Sequence, residues 1–257
     1  MGLRVVRFSL EQFSEVLRLR DATGRPYILI GGQAVNYWAE RYLAAEPALQ
    51  KLQPFTSLDI DFRGNREDVQ HIAAQLNATP VYPPKVAITA LAGAVPVSIG
   101  GSRSNIEVVR RVPGVSTTAI EALAIEAEWA GCQIRVLDPI SLLAGKLELA
   151  LTVSQARRQD VAHLKILIPC VRGFVRELLA GVQAGDLPVK GWLGAVNQIL
   201  KLSKSTHGRK AVKRFALDWR DALPLQEIAK SAQPKIIEFA AKQLPRWNPT
   251  EITRGGA

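Results

Sequence analysis

The run TSLDIDF at residues 56–62 sets the tightest condition on how this chain can fold. Leu58, Ile60 and Phe62 alternate with Asp59 and Asp61, the period-two pattern of a β-strand with its apolar side chains on one side and its carboxylates on the other. Two parallel carboxylates repel each other unless they are protonated, solvated or bridged by a cation, and a charge away from water is costly without a partner. The apolar side therefore faces a core. The acidic side faces either solvent, as in many antiparallel sheets, or a hard divalent ion such as Mg²⁺, which takes oxygen ligands and often uses one or two carboxylates plus substrate phosphates. The pair by itself is compatible with both.

The flanking pattern predicts an α/β front half. Ser9 and Gln12 form a capping-box pattern ahead of Leu10, Phe13, Val16 and Leu17 at helical spacing. RPYILI reads as a short buried strand ending at Gly31-Gly32, and Gln33 to about Ala45 as a helix. After the aspartate strand come a helix over Arg66–Leu76, then strands at KVAITAL, at VPVSI and, beyond Gly100-Gly101, at NIEVV. Residues 123–137 read as a hairpin turning at Gly131. At Asp138-Pro139 the texture changes: Asp at an N-cap with Pro at the first helical position is a strong helix start. Beyond it the chain reads as helices punctuated near 169–173, 181–191 and 205–209, with no strand. The expected fold is thus α/β (α+β): a small mixed sheet with flanking helices over 1–137, followed by a basic helical domain over 138–257.

Composition narrows the function classes. With 47% hydrophobic residues in 257, disorder is expected only at the Arg-Gly-Gly-Ala end. No apolar run approaches the roughly 20 residues that span a bilayer, and MGLRVVRFSL has no signal-peptide pattern. Two cysteines, Cys132 and Cys170, lie in or beside apolar stretches, so a reducing, cytoplasmic setting is expected rather than a disulfide framework. The three histidines (His71, His163, His207) lack zinc spacing and no Gly-x-Ser-x-Gly elbow occurs, which sets aside zinc-enzyme and serine-hydrolase readings. The net charge of +10 is uneven: residues 1–137 carry a net of +1 and residues 138–257 a net of +9. That asymmetry suits a polyanionic partner, and equally plain solubility.

Three further pieces give the aspartates a context. A strand ending in Gly31-Gly32 and feeding a helix lets backbone amides approach an anion, although IGGQ lacks the spacing of dinucleotide and Walker-type loops. Glu107 in NIEVV would complete a three-carboxylate site if its strand lies beside that of Asp59 and Asp61. Lys146 falls on an apolar helical stripe with Leu142, Leu149 and Val153, where a lysine either snorkels outward or reaches an anion.

In order, the strand, Gly31-Gly32, a helix, Ser57-Leu-Asp59-Ile-Asp61 and Ile-Glu107-Val resemble the nucleotidyltransferase superfamily that includes DNA polymerase β, over roughly residues 26–110. LDPISLLAGKLELAL followed by RRQDVAHLKIL resembles the lysine motif and Arg-x-x-Asp region of AbiEii-type nucleotidyltransferases, some of which are toxins of toxin–antitoxin systems. The resemblance implies that Asp59, Asp61 and Glu107 are catalytic and bind Mg²⁺ (or Mn²⁺). It implies nucleotide-binding roles for Gly31, Gly32, Ser57, Lys146 and Asp160, NTP as a substrate, and an antitoxin protein as a partner. Two positions depart from the pattern: Gln33 stands where Ser or Thr often follows the glycines, and His163 where a second aspartate is usual.

The acceptor is read from charge. KLSKSTHGRKAVKR, residues 201–214, holds six basic residues and no acidic one, with Ser-Thr-His-Gly expected as a turn between two helices. Lys201, Lys204, Arg209, Lys210, Lys213 and Arg214 are candidate nucleic-acid contacts, with RNA such as tRNA as the favoured acceptor. A solvated patch or a docking site for an acidic antitoxin is the alternative. Rival functions are an antibiotic or protein nucleotidyltransferase, and a non-catalytic nucleic-acid- or protein-binding module on the same fold.

Overall fold

A computed structural model describes residues 6–156 and 158–247; the Arg-Gly-Gly-Ala end lies outside them. The described chain forms two compact units. One takes the residues through Arg41 together with Leu52–Gly145; the other takes Tyr42–Lys51 together with the residues from Lys146 onward.

In chain order, a 3₁₀ turn at Glu11–Phe13 leads into α1 (Ser14–Leu17), and the Ser9 amide donates to Gln12 Oε1 at 2.9 Å. Then follow β1 (Ile28–Ile30), α2 (Gly31–Tyr42), α3 (Pro47–Gln50), β2 (Ile60–Arg63), α4 (Arg66–Gln75), β3 (Leu91–Ile99), β4 (Ser102–Val109), α5 (Ile120–Leu123), β5 (Ala124–Trp129), β6 (Cys132–Leu137) and α6 (Pro139–Thr152). The strands make one six-stranded mixed sheet in the order β3-β4-β2-β1-β6-β5. β1 runs parallel to β6 and β2 parallel to β4, while β1/β2, β3/β4 and β5/β6 are antiparallel. Ile60, Phe62, Ile106 and Val108 are buried on one side of the sheet. There α4 covers the β3–β4 end with Val69, Ile72 and Ala73.

Two strand readings change. KVAITAL is not a strand: β3 begins only at Leu91, opposite Val109, where β4 ends. Upstream of it the described residues make only single contacts to the sheet, Ala90 O accepting from Arg110 N at 2.8 Å and Val81 bridging to Ala94, while Val86 and Ile88 between them stand in solvent at 91% and 101% exposure. TSLDIDF is a strand only from Ile60 onward, with Asp59 in the bend before it. Ser57 is already bridged to Phe8 (Phe8 N to Ser57 O 2.7 Å, Ser57 N to Phe8 O 2.9 Å), and the Leu58 carbonyl accepts from Ser104 Oγ at 2.8 Å. The hairpin at 124–137 is observed, and so is the Asp-Pro helix start. Asp138 Oδ1 accepts from the Ile140 and Ser141 amides at 2.9 and 3.0 Å, and burial pushes its carboxyl above the usual range despite those bonds.

The second unit is helical: α3, then α7 (Asp160–Ala184), α8 (Val189–Lys204), α9 (Thr206–Phe215), a 3₁₀ turn at Trp219–Ala222, α10 (Leu225–Ala229) and α11 (Pro234–Gln243). Among its described residues there is no strand. The punctuation expected near 169–173 is absent, because α7 runs 25 residues through Pro169 and Gly173. Gly173 instead makes room for an aromatic ring, since a Cβ there would lie 2.7 Å from Tyr42. The carboxylate of Glu46, almost fully buried, receives Arg172 Nε at 2.9 Å and Arg176 Nη1 at 2.5 Å. Arg176 Nε also donates to Glu227 at 2.7 Å.

Candidate active site

β1 ends in three buried apolar residues, and its chain turns directly into α2 at Gly31, where φ is +68°. That backbone is available to glycine at no steric cost. Asp61, opposite Ile30 on β2, folds its carboxylate over this turn: a Cβ on Gly31 would lie 1.8 Å from Asp61 Oδ2. The missing side chain of Gly31 is therefore the space that the Asp61 carboxylate occupies, at the N-terminal end of a helix whose partial positive charge favours an anion.

Across the sheet, Asp61 is in register with Glu107 on the parallel neighbour β4. Registered partners on adjacent strands share a side, so these two carboxylates stand together, both half-buried, on the side away from Ile60 and Ile106. Asp59 is half-buried in the bend, 3.5 Å from Ser57 Oγ. Among the described residues no group of three or more His, Cys, Asp or Glu side chains is arranged to hold a metal ion. The pair in register is Asp61 and Glu107, and its oxygen donors are of the kind a hard divalent ion takes alongside substrate phosphates.

Behind the turn, Gly32 is buried and Gln33 points inward. Gln33 Nε2 donates to the Phe8 carbonyl at 3.0 Å, and Asn36 Nδ2 donates to Gln33 Oε1 at 2.9 Å. The residue after the glycines is thus a clamp on the N-terminal segment that pairs with Ser57. The clamp has no local signature because Phe8 lies 25 residues from Gln33, and Asn36, which holds Gln33 from one turn along, is hidden with it.

Lys146 and Asp160 belong to the helical unit and meet each other there. Lys146 Nζ donates to Asp160 Oδ1 at 3.0 Å, and Arg158 Nε donates to Oδ2 at 2.5 Å. Burial alone would raise the Asp160 carboxyl, but the two cations outweigh it and hold it below the usual range. His163, one turn along α7, is buried.

Lys201 and Lys204 end α8, and Arg209, Lys210, Lys213 and Arg214 lie on α9; all six are exposed. The expected four-residue turn shrinks to Ser205, whose Oγ accepts from the Gly208 amide at 2.9 Å and starts α9 at once.

No family model matches this chain. No curated protein matches it either. Among solved structures, an antigenic nucleotidyltransferase-like protein from Paracoccidioides brasiliensis overlays 64% of this chain and 78% of its own length, at 13% identity and a TM-score of 0.40. A likeness of that extent fixes neither a family nor an activity for this chain. No described helix is long and apolar enough to cross a membrane.

Proposed function

We propose that this protein is a nucleotidyltransferase that moves a nucleoside monophosphate from an NTP to an acceptor hydroxyl. The observation that carries the reading is the Asp61 carboxylate seated over Gly31 and in register with Glu107 on the next strand. In this reading Gly31-Gly32 and Ser57 would cradle the triphosphate, and the registered pair Asp61 and Glu107, joined by Asp59 from the bend before β2 once substrate binds, would hold Mg²⁺ (or Mn²⁺), which would neutralise phosphate charge. The acceptor oxygen forms a bond to the α-phosphorus, the bond from that phosphorus to the β-phosphate oxygen breaks, and pyrophosphate leaves with the electron pair. The acceptor's proton passes to solvent. The protein's share is positioning and charge compensation on two neighbouring interior strands of the sheet.

RNA, tRNA in particular, is the proposed acceptor, supported by the basic balance of the second half of the chain. The AbiEii-type resemblance around Lys146 and Asp160 supports nucleotide-contacting roles for both. It also supports a toxin role, with an antitoxin protein as partner.

The test is to incubate the protein with each labelled NTP, Mg²⁺ and total RNA, and to resolve what becomes labelled. Asp61→Asn and Glu107→Gln should abolish labelling while leaving the thermal midpoint equal or higher, because a carboxylate repulsion is relieved. Mg²⁺ with NTP should raise the wild-type midpoint through binding linkage and the variants' much less. An Asp61→Asn protein that still labels RNA sinks the reading.

A further inference from the structure

We infer that the exposed face of α9, with the last turn of α8, is a docking surface for a nucleic-acid phosphodiester backbone, read without base specificity. Arg209, Lys210, Lys213 and Arg214 recur at spacings that place them within an arc of about 140° on a helix of 3.6 residues per turn. The opposite side is already used. Gly208 and Ala211 are buried, and a Cβ on Gly208 would lie 2.1 Å from the Leu202 carbonyl of α8. Trp219 Nε1 holds the Gly208 carbonyl at 3.2 Å, so the helix cannot roll to hide its charges. Lys201 and Lys204 extend the cationic face across the Ser205 junction.

Among the described residues none of these six cations has an ion-pair partner. The next acidic residues along the chain are engaged elsewhere: Asp218 is held by Arg220 at 2.8 Å, and Asp221 faces Arg172 at 3.9 Å. Like charges held together in this way favour a polyanion that releases its counterions on binding.

The surface also discriminates between classes of polyanion. A protein interface has a desolvated core rich in aromatic and apolar side chains and poor in lysine; here no large hydrophobic side chain is exposed between Lys201 and Ala216. A membrane-surface helix needs a free apolar face to insert, and that of α9 is packed against α8. Phe215 of α9 is half-buried under Arg214, whose guanidinium lies 5.5 Å from the ring centre, and the other ring of α9, that of His207, is half-buried too. There is then no open platform for stacking bases, and recognition falls on phosphates, which position a strand without specifying its sequence.

This inference rests on the transferase reading only for what the bound strand is used for, so binding is measured on the full chain without NTP. Labelled single-stranded RNA and DNA of the same sequence, and of a scrambled one, are titrated across a salt series. Six contacts to a single strand give a log–log salt slope of about −4, and Arg209→Gln/Lys210→Gln/Lys213→Gln/Arg214→Gln reduces its magnitude by about 3. The variant should keep the wild-type thermal midpoint, and scrambling should leave affinity unchanged. Equal binding of both strands assigns recognition to the shared backbone; tighter RNA binding adds a 2′-hydroxyl contact to it. A slope equal to wild type, or strong dependence on base sequence, overturns the inference. So does a variant that keeps nucleic-acid binding and loses only an acidic protein partner.

Discussion

Glu40 sits half-buried on α2, and burial first, the Glu11 carboxylate second, raise its pKa to about 7. In the unfolded chain a glutamate gives up its proton near pH 4.3, so between those values the folded state holds a proton that the unfolded state has lost. Protonated Glu40 contributes its full stability below the unfolded pKa, and that contribution is lost as pH rises through about 7. Glu40→Gln, which keeps the shape and removes the charge, should therefore match wild type near pH 4. It should exceed wild type at pH 8 by about 1–3 kcal/mol, a range discounted for partial exposure. Thermal melts at the two pH values check this, and equal midpoints at pH 8 reject it. Single residues divide by the range of their partners in how far the sequence discloses them. Asp59, Asp61 and Glu107 announce themselves as charges in strand-like runs. That Asp61 and Glu107 stand side by side depends on β2 and β4 being neighbours, which no local pattern encodes. Gln33 is inscrutable locally for the same reason: its partner is the carbonyl of Phe8.

At the level of elements, α6 and α7 are tied by the Lys146–Asp160 pair, with Arg158 on the second oxygen. Asp160 is held below the ordinary carboxylate range because the cations outweigh its burial. Its contribution is present above the unfolded pKa near 3.9 and is lost as pH falls through the lower folded value. Lys146→Met leaves the buried carboxylate with Arg158 as its one cation among the described residues and should cost about 1–3 kcal/mol. Asp160→Asn should cost a similar amount, and Lys146→Met with Asp160→Asn should cost less than the sum of the two single changes, since neither buried charge is then stranded. Denaturant titration of the four proteins measures the coupling, and strict additivity excludes it. Elements with their own end signals were legible, such as Asp138-Pro139 at the start of α6 and the hairpin of β5 and β6. KVAITAL has strand composition, but only its last residues, Ala90 and Leu91, reach the end of β4, and composition carries no information about partners. Pro169 reads as a break because proline forfeits one helical hydrogen bond. In a helix of 25 residues with buried side chains along its length, packing outweighs that loss.

For the whole molecule, the change of texture at Asp138-Pro139 is visible in the sequence, whereas the placing of Tyr42–Lys51 with the helices is not. The segment PALQ is unremarkable as sequence; what holds it is Glu46 beneath Arg172 and Arg176, with the Tyr42 ring in the gap left by Gly173 and its hydroxyl on Glu177 at 2.7 Å. A fragment from Lys146 onward lacks that carboxylate and that ring. It should melt without the cooperative transition of the full chain, and with two arginines short of their shared counter-charge. Circular dichroism melts of the fragment and the full chain compare them, and a native-like cooperative melt of the fragment alone would refute the expectation. Heredity meets the same constraint. A crossover at the junction of Gly145 and Lys146 would hand a descendant one parent's helices and the other's Tyr42–Lys51. Exchange between diverged copies of such a gene is productive where both segments come from one parent, or where each parent independently keeps Glu46, Tyr42 and Gly173.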